Sequence, residues 1–377
     1  MTLNNPFVIN RYAGDEYFCD RVEETKMLVT LLTNEHDVAL ISHRRIGKTD
    51  LLYHCFDQPV IKENYFTFII DIYATTSVRD FVNVFGRAIL ETLRSRGRKI
   101  WETFLTYLSS LRSEISFDIN GNPVWGMGLG AIENPAVTLD EIFRYLNDAG
   151  RPCLVAIDEF QQITKYSDKN IEATLRTYIQ RCPNAHFIFS GSHRHLMGEI
   201  FTSAARPFYQ SVTLFNLPLI DEAKYAVFAK RLFADRGKQL DDAVVAALYQ
   251  RFEGITSYLQ RTMNILFANT PVGGTCTPDM IDNAVETLLS MSNEVYEALF
   301  YQLPEKQREV VTAIAQEGKA QNIMSGQFVH RHRLSTPSSV KSAADGLLEK
   351  DLVTRDKDIY RVYDLLFALW ILRKMNT

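Results

Sequence analysis

No run of 18 consecutive apolar residues occurs in these 377 residues, so no segment reads as a membrane-spanning helix. Cysteine is scarce and scattered. Cys19, Cys55, Cys153, Cys182 and Cys276 form no C-x-x-C pair and do not gather with histidine. Several sit in apolar runs, which reads as small buried hydrophobes in a reducing compartment. A surplus of either charge is also missing. The 41 Lys and Arg against 45 Asp and Glu give a net of −4, which excludes a global polyanion-binding surface and leaves nucleic-acid affinity to local patches. Met1–Asn10 has neither a basic start nor an apolar stretch, so no secretory signal is expected and the location is expected to be cytoplasmic. Long low-complexity linkers and internal repeats are absent too.

What is present is chemically specific. Ser42–Thr49 reads S-H-R-R-I-G-K-T directly after the apolar run Val38–Ile41. It departs at one position from the phosphate-binding loop G-x-x-x-x-G-K-[ST], with Ser42 standing where the first glycine is usual. In such a loop backbone N–H groups curl around a phosphate and Gly47 lets the chain approach closely. Lys48 places charge on the β- and γ-phosphates, Thr49 offers a hydroxyl to Mg²⁺, and the next helix aims its positive end at the anion. An apolar helical run (Leu51, Leu52, Tyr53, Cys55, Phe56) follows, as the motif requires. The expected ligand is a nucleoside triphosphate.

A second segment, Cys153–Glu159, reads C-L-V-A-I-D-E. A short continuous apolar run suits a central parallel strand covered on both faces. Two acids at its C-terminal end would lie where open α/β sheets bind ligands. Asp158 is then the metal-holding group and Glu159 the general base that polarises water. The bland alternatives are a chance G-K-T for the first segment and a strand that ends in a solvated acidic turn for the second, and the pair together outweighs both.

Three blocks follow from the patterning. Residues 1–218 alternate strands (Val38–Ile41, Phe66–Ile72, Leu154–Ile157, His186–Ser190, Val212–Leu217) with helices (Arg21–Thr33, Lys48–Phe56, Val78–Leu93, Leu139–Ala149, Ile171–Cys182). That alternation implies a parallel sheet. A Gly-rich alternating stretch around 113–133, with Asn120-Gly121-Asn122 as its turn, reads as an inserted hairpin. Residues 219–292 read as helices only: Asp221–Arg236, Asp241–Phe252, Ser257–Asn269 and Pro278–Met291, with Asp221, Asp241 and Thr277 at or near their N-caps. Residues 293–377 read as helices Glu305–Gln316, Gly326–Arg333 and Ser338–Lys350 and then a hairpin around Asp356-Lys357-Asp358. Pro337 fits the first helical position and Thr336 its cap. Three helices and a two-stranded wing make a winged helix-turn-helix.

At this point the chain resembles AAA-type ATPases, in the prokaryotic branch close to the STAND NTPases, over nearly its whole length. The residues that carry the likeness are Phe18-Cys19-Asp20-Arg21-Val22-Glu23-Glu24, the R-R-x-G-K-T form of the loop (Arg44, Arg45, Ile46, Gly47, Lys48, Thr49), the D-E strand end, and the strand His186–Ser190 that ends in Gly191-Ser192. The fold implied is an αβα P-loop NTPase with a five-stranded parallel sheet, then a helical lid and a winged helix. The resemblance further implies that ATP and Mg²⁺ are the cofactors. It places Arg21 and Glu24 at the helix under the adenine, with Phe7, Val8 and Ile9 near the base, and Asp50 beside the loop. Either Ser190 or Ser192 contacts the γ-phosphate or its attacking water.

Two departures stand out. Arg206-Pro207-Phe208-Tyr209-Gln210-Ser211 lacks the arginine that relatives carry after the tyrosine, which leaves Arg206 as the nearest finger candidate or else a surface charge. The lid G-x-P is here Gly254-Ile255-Thr256. At least one of the tandem Arg44-Arg45 is expected to brace the fold by pairing with an acid such as Glu24, Asp158 or Glu159.

From Pro304 onward there are 12 Lys or Arg and 9 Asp or Glu. Docking on double-stranded DNA through 326–363 would use His330, Arg331, His332 and Arg333, then Ser338, Ser339, Lys341 and Ser342, and Arg355 and Lys357 in the wing. A density so modest equally fits protein contact or intramolecular packing, in keeping with Tyr360, Tyr363, Phe367 and Trp370. Three functions stay open. One is a nucleotide-controlled switch on a macromolecular partner, another a DNA-binding ATPase of initiator-like layout, and the third a nucleotide binder without turnover. An oligomer is compatible with each.

Overall fold

The structure is a computed structural model that describes residues 3–111, 115–117, 123–125 and 132–376. The chain forms two compact units. One comprises residues 8–228 and 254–257, and the other Met1–Phe7, Ala229–Glu253 and Tyr258–Thr377.

The first unit is built on a parallel sheet of β1 (Val38–Ile41), β2 (Phe66–Asp71), β3 (Cys153–Asp158), β4 (Ala185–Gly191) and β5 (Thr213–Asn216), in the spatial order β2-β3-β4-β1-β5. Its central strands are buried on both faces, as the unbroken apolar runs require. Alternate residues feed two cores. Ala39, Ile41, Val155, Ile157, Phe187 and Phe189 face one. Helices Val78–Arg94, Pro135–Asp148, Ile171–Gln180 and Arg194–Thr202 cover that face. Val38, Leu40, Leu154, Ala156 and Ile188 face the other, covered by α1 (Val22–Thr33) and α2 (Lys48–Asp57). This is a three-layer αβα sandwich.

All five strands and helices in this block match the patterning within a few residues. Helices at Pro59–Asn64, Arg98–Tyr107 and Arg194–Thr202 are additions to it. Arg21 is not the first helical residue: it is the N-cap of α1 in a left-handed conformation, φ 67°. Strands Ile115–Phe117 and Pro123–Trp125 pair antiparallel, and the turn Asn120-Gly121-Asn122 lies outside the described residues. Every cysteine is buried and free. Burial pushes the Cys55, Cys153 and Cys182 thiols up to about 12, so these three are not reactive thiolates at neutral pH.

The second unit contains helices Asp242–Arg251, Ile281–Met291 and Asn293–Tyr301, together with a two-residue parallel bridge between Gln239–Leu240 and Thr275–Cys276 that the patterning lacked. Its C-terminal part has helices Glu305–Glu317, Gly326–Arg331 and Pro337–Glu349 and a sheet of Ala320–Gln321, Ile359–Val362 and Val353–Asp356. Thr336 caps the third helix by accepting from Ser339 N at 3.2 Å, with Pro337 at the first helical position. The second helix stops at Arg331, two residues early, because Arg333 adopts φ 53°. A last helix, Leu365–Asn376, buries Leu366, Phe367, Trp370 and Ile371.

Candidate nucleotide site

The loop between β1 and α2 has two left-handed residues ahead of the helix. Gly47 caps α2 at φ 85°, and Arg45 is also left-handed, φ 65°. Ser42 is not among the left-handed residues. It is buried and donates to His43 O at 2.8 Å, so the position where glycine is usual needs no glycine conformation here. Neighbouring segments hold the loop by its carbonyls. Arg21, itself paired with Glu24 at 2.9 Å, donates to Ile46 O at 3.4 Å. Ser257 N donates to Arg45 O at 2.9 Å, and Ile255 packs on the α1–α2 core.

Beyond the loop, Thr49 donates its hydroxyl to Asp158 Oδ2 at 2.6 Å. Asp158 Oδ1 accepts from Glu159 N at 3.0 Å. Lys48 is buried at the start of α2. Desolvation lowers its pKa, while the carboxylates of Asp158 and Glu159 oppose that shift and Arg44 adds to it. The strand ends at Asp158, and Glu159 turns out of it at φ 55°. Its carboxylate accepts from Ser192 Oγ at 2.8 and 3.1 Å and from Gln161 Nε2. Arg44 Nε donates to the same Ser192 Oγ at 3.0 Å. A chain of hydrogen bonds thus links the loop between β1 and α2 to Glu159.

Ser190 lies one residue before the strand tip, fully buried, and its Oγ has no hydrogen-bond partner among the described residues. Asp71 ends β2 as the register partner of Asp158. Burial raises its pKa, a hydrogen bond from Tyr73 N opposes this, and Asp158 and Glu159 add to the rise. A Cβ at Gly191 would run into the Met197 side chain and Gln161 Oε1.

Thr49 and Asp158 offer hard oxygen donors of the kind that suit Mg²⁺. No group of three or more His, Cys, Asp or Glu suited to a metal exists among the described residues.

Solved structures of the same architecture exist. The Walker-type ATPase PABY2304 of Pyrococcus abyssi superposes with a TM-score of 0.67 at 18% identity, over 97% of this chain and 99% of that one. The ORC2 protein of Aeropyrum pernix, solved as ADPNP–ADP complexes, gives 0.57 at 12% identity over 99% and 98%. The ORC1 protein of Aeropyrum pernix, solved in complex with DNA, gives 0.53 at 11% identity over 98% and 96%. The chain has the fold of a Walker-type ATPase. Residues 294–373 match the family described as "Probable winged helix domain". No curated protein matches the sequence.

Within this ATPase fold the structure gathers Arg44, Lys48, Thr49, Asp158, Glu159 and Ser192 through the contacts above, with Arg21 and Ile46 at their edge. Asp50 follows in the first turn of α2, where burial raises its pKa. Gly254 is buried at φ 70° and opens the segment that holds Arg45. Two residues fall elsewhere. Phe7 is fully buried against Phe233 and Phe267 in the other unit, so its ring offers no face to a base, whereas Val8 belongs to the sheet unit. Arg206 is held by Glu172 and Glu199, both at 3.1 Å, which makes it a brace between helices rather than a solvated charge.

Gln161 and Asp71 escaped the sequence reading. Gln161 sits in a 3-10 turn that no periodicity marks. Asp71 had a signal, a carboxylate closing an apolar strand as Asp158 does.

Proposed function

We propose that this chain is a Mg²⁺-dependent ATPase whose nucleotide state acts as a switch on a macromolecular partner. The observation that carries the reading is the 2.6 Å bond between Thr49 and Asp158 beside buried Lys48. Two segments 109 positions apart are brought to the head of one sheet, where such folds act on ligands. Lys48 and the loop amides would bind the phosphates, and Arg21 would keep the loop in shape. Thr49 and Asp158 would hold Mg²⁺, which when bound neutralises charge developing on the phosphate oxygens. Glu159 would orient and deprotonate water, held in place by Ser192 and Gln161. Ser192 is committed to that task, so the buried hydroxyl of Ser190 is the better candidate to sense the phosphate. Residues 1–218 would then do the nucleotide chemistry, 219–292 would form the helical lid subdomain, and 293–377 would meet the partner.

A second reading, a DNA-binding ATPase of initiator-like layout, draws support from the shared fold with an ORC1 protein solved on DNA. The charges favour the first. Arg331, Arg355, Arg361 and Arg373 are each in an ion pair within the unit. The exposed face of Pro337–Glu349 sets Asp345 and Glu349 against Lys341.

The test is ATP turnover of the full chain, with and without duplex DNA, alongside Lys48→Ala and Glu159→Gln. Lys48→Ala should lose ATP binding. Glu159→Gln should keep binding and lose at least about 100-fold in kcat. Hydrolysis unchanged in Glu159→Gln would remove the assignment of the base. Absence of turnover in the wild type would leave the nucleotide binder without catalysis.

A further inference from the structure

We propose that Asp71, together with Ser190, positions the hydration shell of the divalent cation taken by Asp158 and Thr49. This rests on the ATPase reading above and deepens it.

Sheet geometry supplies the argument. In a parallel sheet, residues paired across strands project to the same face. Asp71 is paired with Asp158, and Ile72 N donates to Asp158 O at 3.2 Å, so the two strands stay in step to their ends. On the other side of β3, Ile157 pairs with Phe189, and Asp158 and Ser190 are the next residues on each strand. Their face follows from alternation. Leu154 and Ala156 on β3, Ile188 on β4 and Leu40 on β1 all pack into the α1–α2 core, and Ile69 of β2 packs against it. Two residues further along their strands, Asp71, Asp158 and Ser190 therefore form one row on the face covered by α2, the helix that carries Thr49.

Within that row the hydrogen-bond inventory is uneven. Asp158 uses both oxygens, on Thr49 and on Glu159 N. Asp71 uses Oδ1 to accept from Tyr73 N at 2.8 Å, which fixes the carboxylate, and Oδ2 has no hydrogen bond among the described residues. Ser190 is 0% exposed and its Oγ has no partner there. A buried hydroxyl left unpaired is destabilising unless a ligand or ordered water meets it. Mg²⁺ keeps several of its waters when it binds protein through one or two carboxylates. A hydrated cation at Asp158 would give Asp71 Oδ2 and Ser190 Oγ waters to bond. Groups that act on a metal through its outer shell shift affinity by about 10–100-fold when removed.

The experiment uses Mn²⁺ in place of Mg²⁺ and the full chain. Free Mn²⁺ is read by electron paramagnetic resonance in the presence of ADP, and metal-free ADP binding is measured separately in EDTA. Asp71→Asn should weaken Mn²⁺ binding about tenfold with metal-free ADP binding unchanged, and Ser190→Ala should weaken Mn²⁺ in the same direction. Wild-type Mn²⁺ affinity in Asp71→Asn would overturn the proposal. So would loss of metal-free ADP binding in that variant, which would mark Asp71 as a structural residue. Failure of the wild-type chain to bind ADP at all would instead sink the ATPase reading.

Discussion

Glu159 shows how much a single residue is asked to do. It adopts φ 55°, a conformation that costs a non-glycine residue free energy and persists where the surroundings over-determine it. Ser192 and Gln161 are those surroundings. Ser192→Ala should therefore lower kcat about tenfold while ADP affinity holds, because the carboxylate loses its orientation and the loop keeps its phosphates; steady-state kinetics beside ADP titration separates the two. Asp37 offers a test on stability. Burial raises its carboxyl pKa to about 6, against the opposing hydrogen bond from Phe187 N. The folded chain holds this proton more tightly than the unfolded one, so the contribution is favourable at low pH and is lost as pH rises from about 4 to about 6. Asp37→Asn, which keeps an acceptor for Phe187 N, should raise Tm by about 2–4 °C at pH 7 and leave it unchanged at pH 4. The residues proposed for chemical roles were legible because their types and spacing follow a motif: Gly47, Lys48, Thr49, Asp158. Gln161 was not, since an amide three positions past a strand end obeys no pattern until a turn brings it back.

Among the elements, the strands of the sheet were easy to read and some helices were not. An unbroken apolar run such as Val38–Ile41 permits only burial on both faces. Helix Arg194–Thr202 buries Met197, Ile200 and Phe201 alone, and its start, His193-Arg194-His195, resembles a loop. Arg98–Tyr107 buries only Trp101 and Phe104, too few for a period to stand out. Caps are legible where a side chain serves them. Thr336 and Asp241 both accept from the backbone as expected, whereas Thr277 makes no side-chain capping bond. Thr336→Ala should cost about 1 kcal/mol, read as faster amide hydrogen exchange across 337–349 with the sheet amides unaffected.

Across the whole molecule, charge counts proved a poorer guide than charge placement. The block from Pro304 carries more basic than acidic residues in composition, yet most of those cations are already engaged. Among the described residues of 326–363, Arg331, Lys350, Arg355 and Arg361 are paired, and the side chains of Arg333, Lys341 and Lys357 enter neither ion pair nor hydrogen bond. Each phosphate contact contributes about 0.9 to the slope of log affinity against log salt. Binding to duplex DNA through these three should give a slope no steeper than about −3, measured by fluorescence anisotropy. A slope near −8 would show that the internal pairs open on DNA and would favour the initiator-like reading. No helix is long and apolar enough to cross a membrane among the described residues. Gly191 has a different kind of consequence. Any side chain there collides with Met197 and with the amide of Gln161, the group that steadies Glu159. Natural variation should therefore be closed at this position while Ser42, which directly follows Gly191's register partner Ile41 on the neighbouring strand, stays open to drift, and a library of random variants selected for turnover should return glycine at 191 and a mixture at 42.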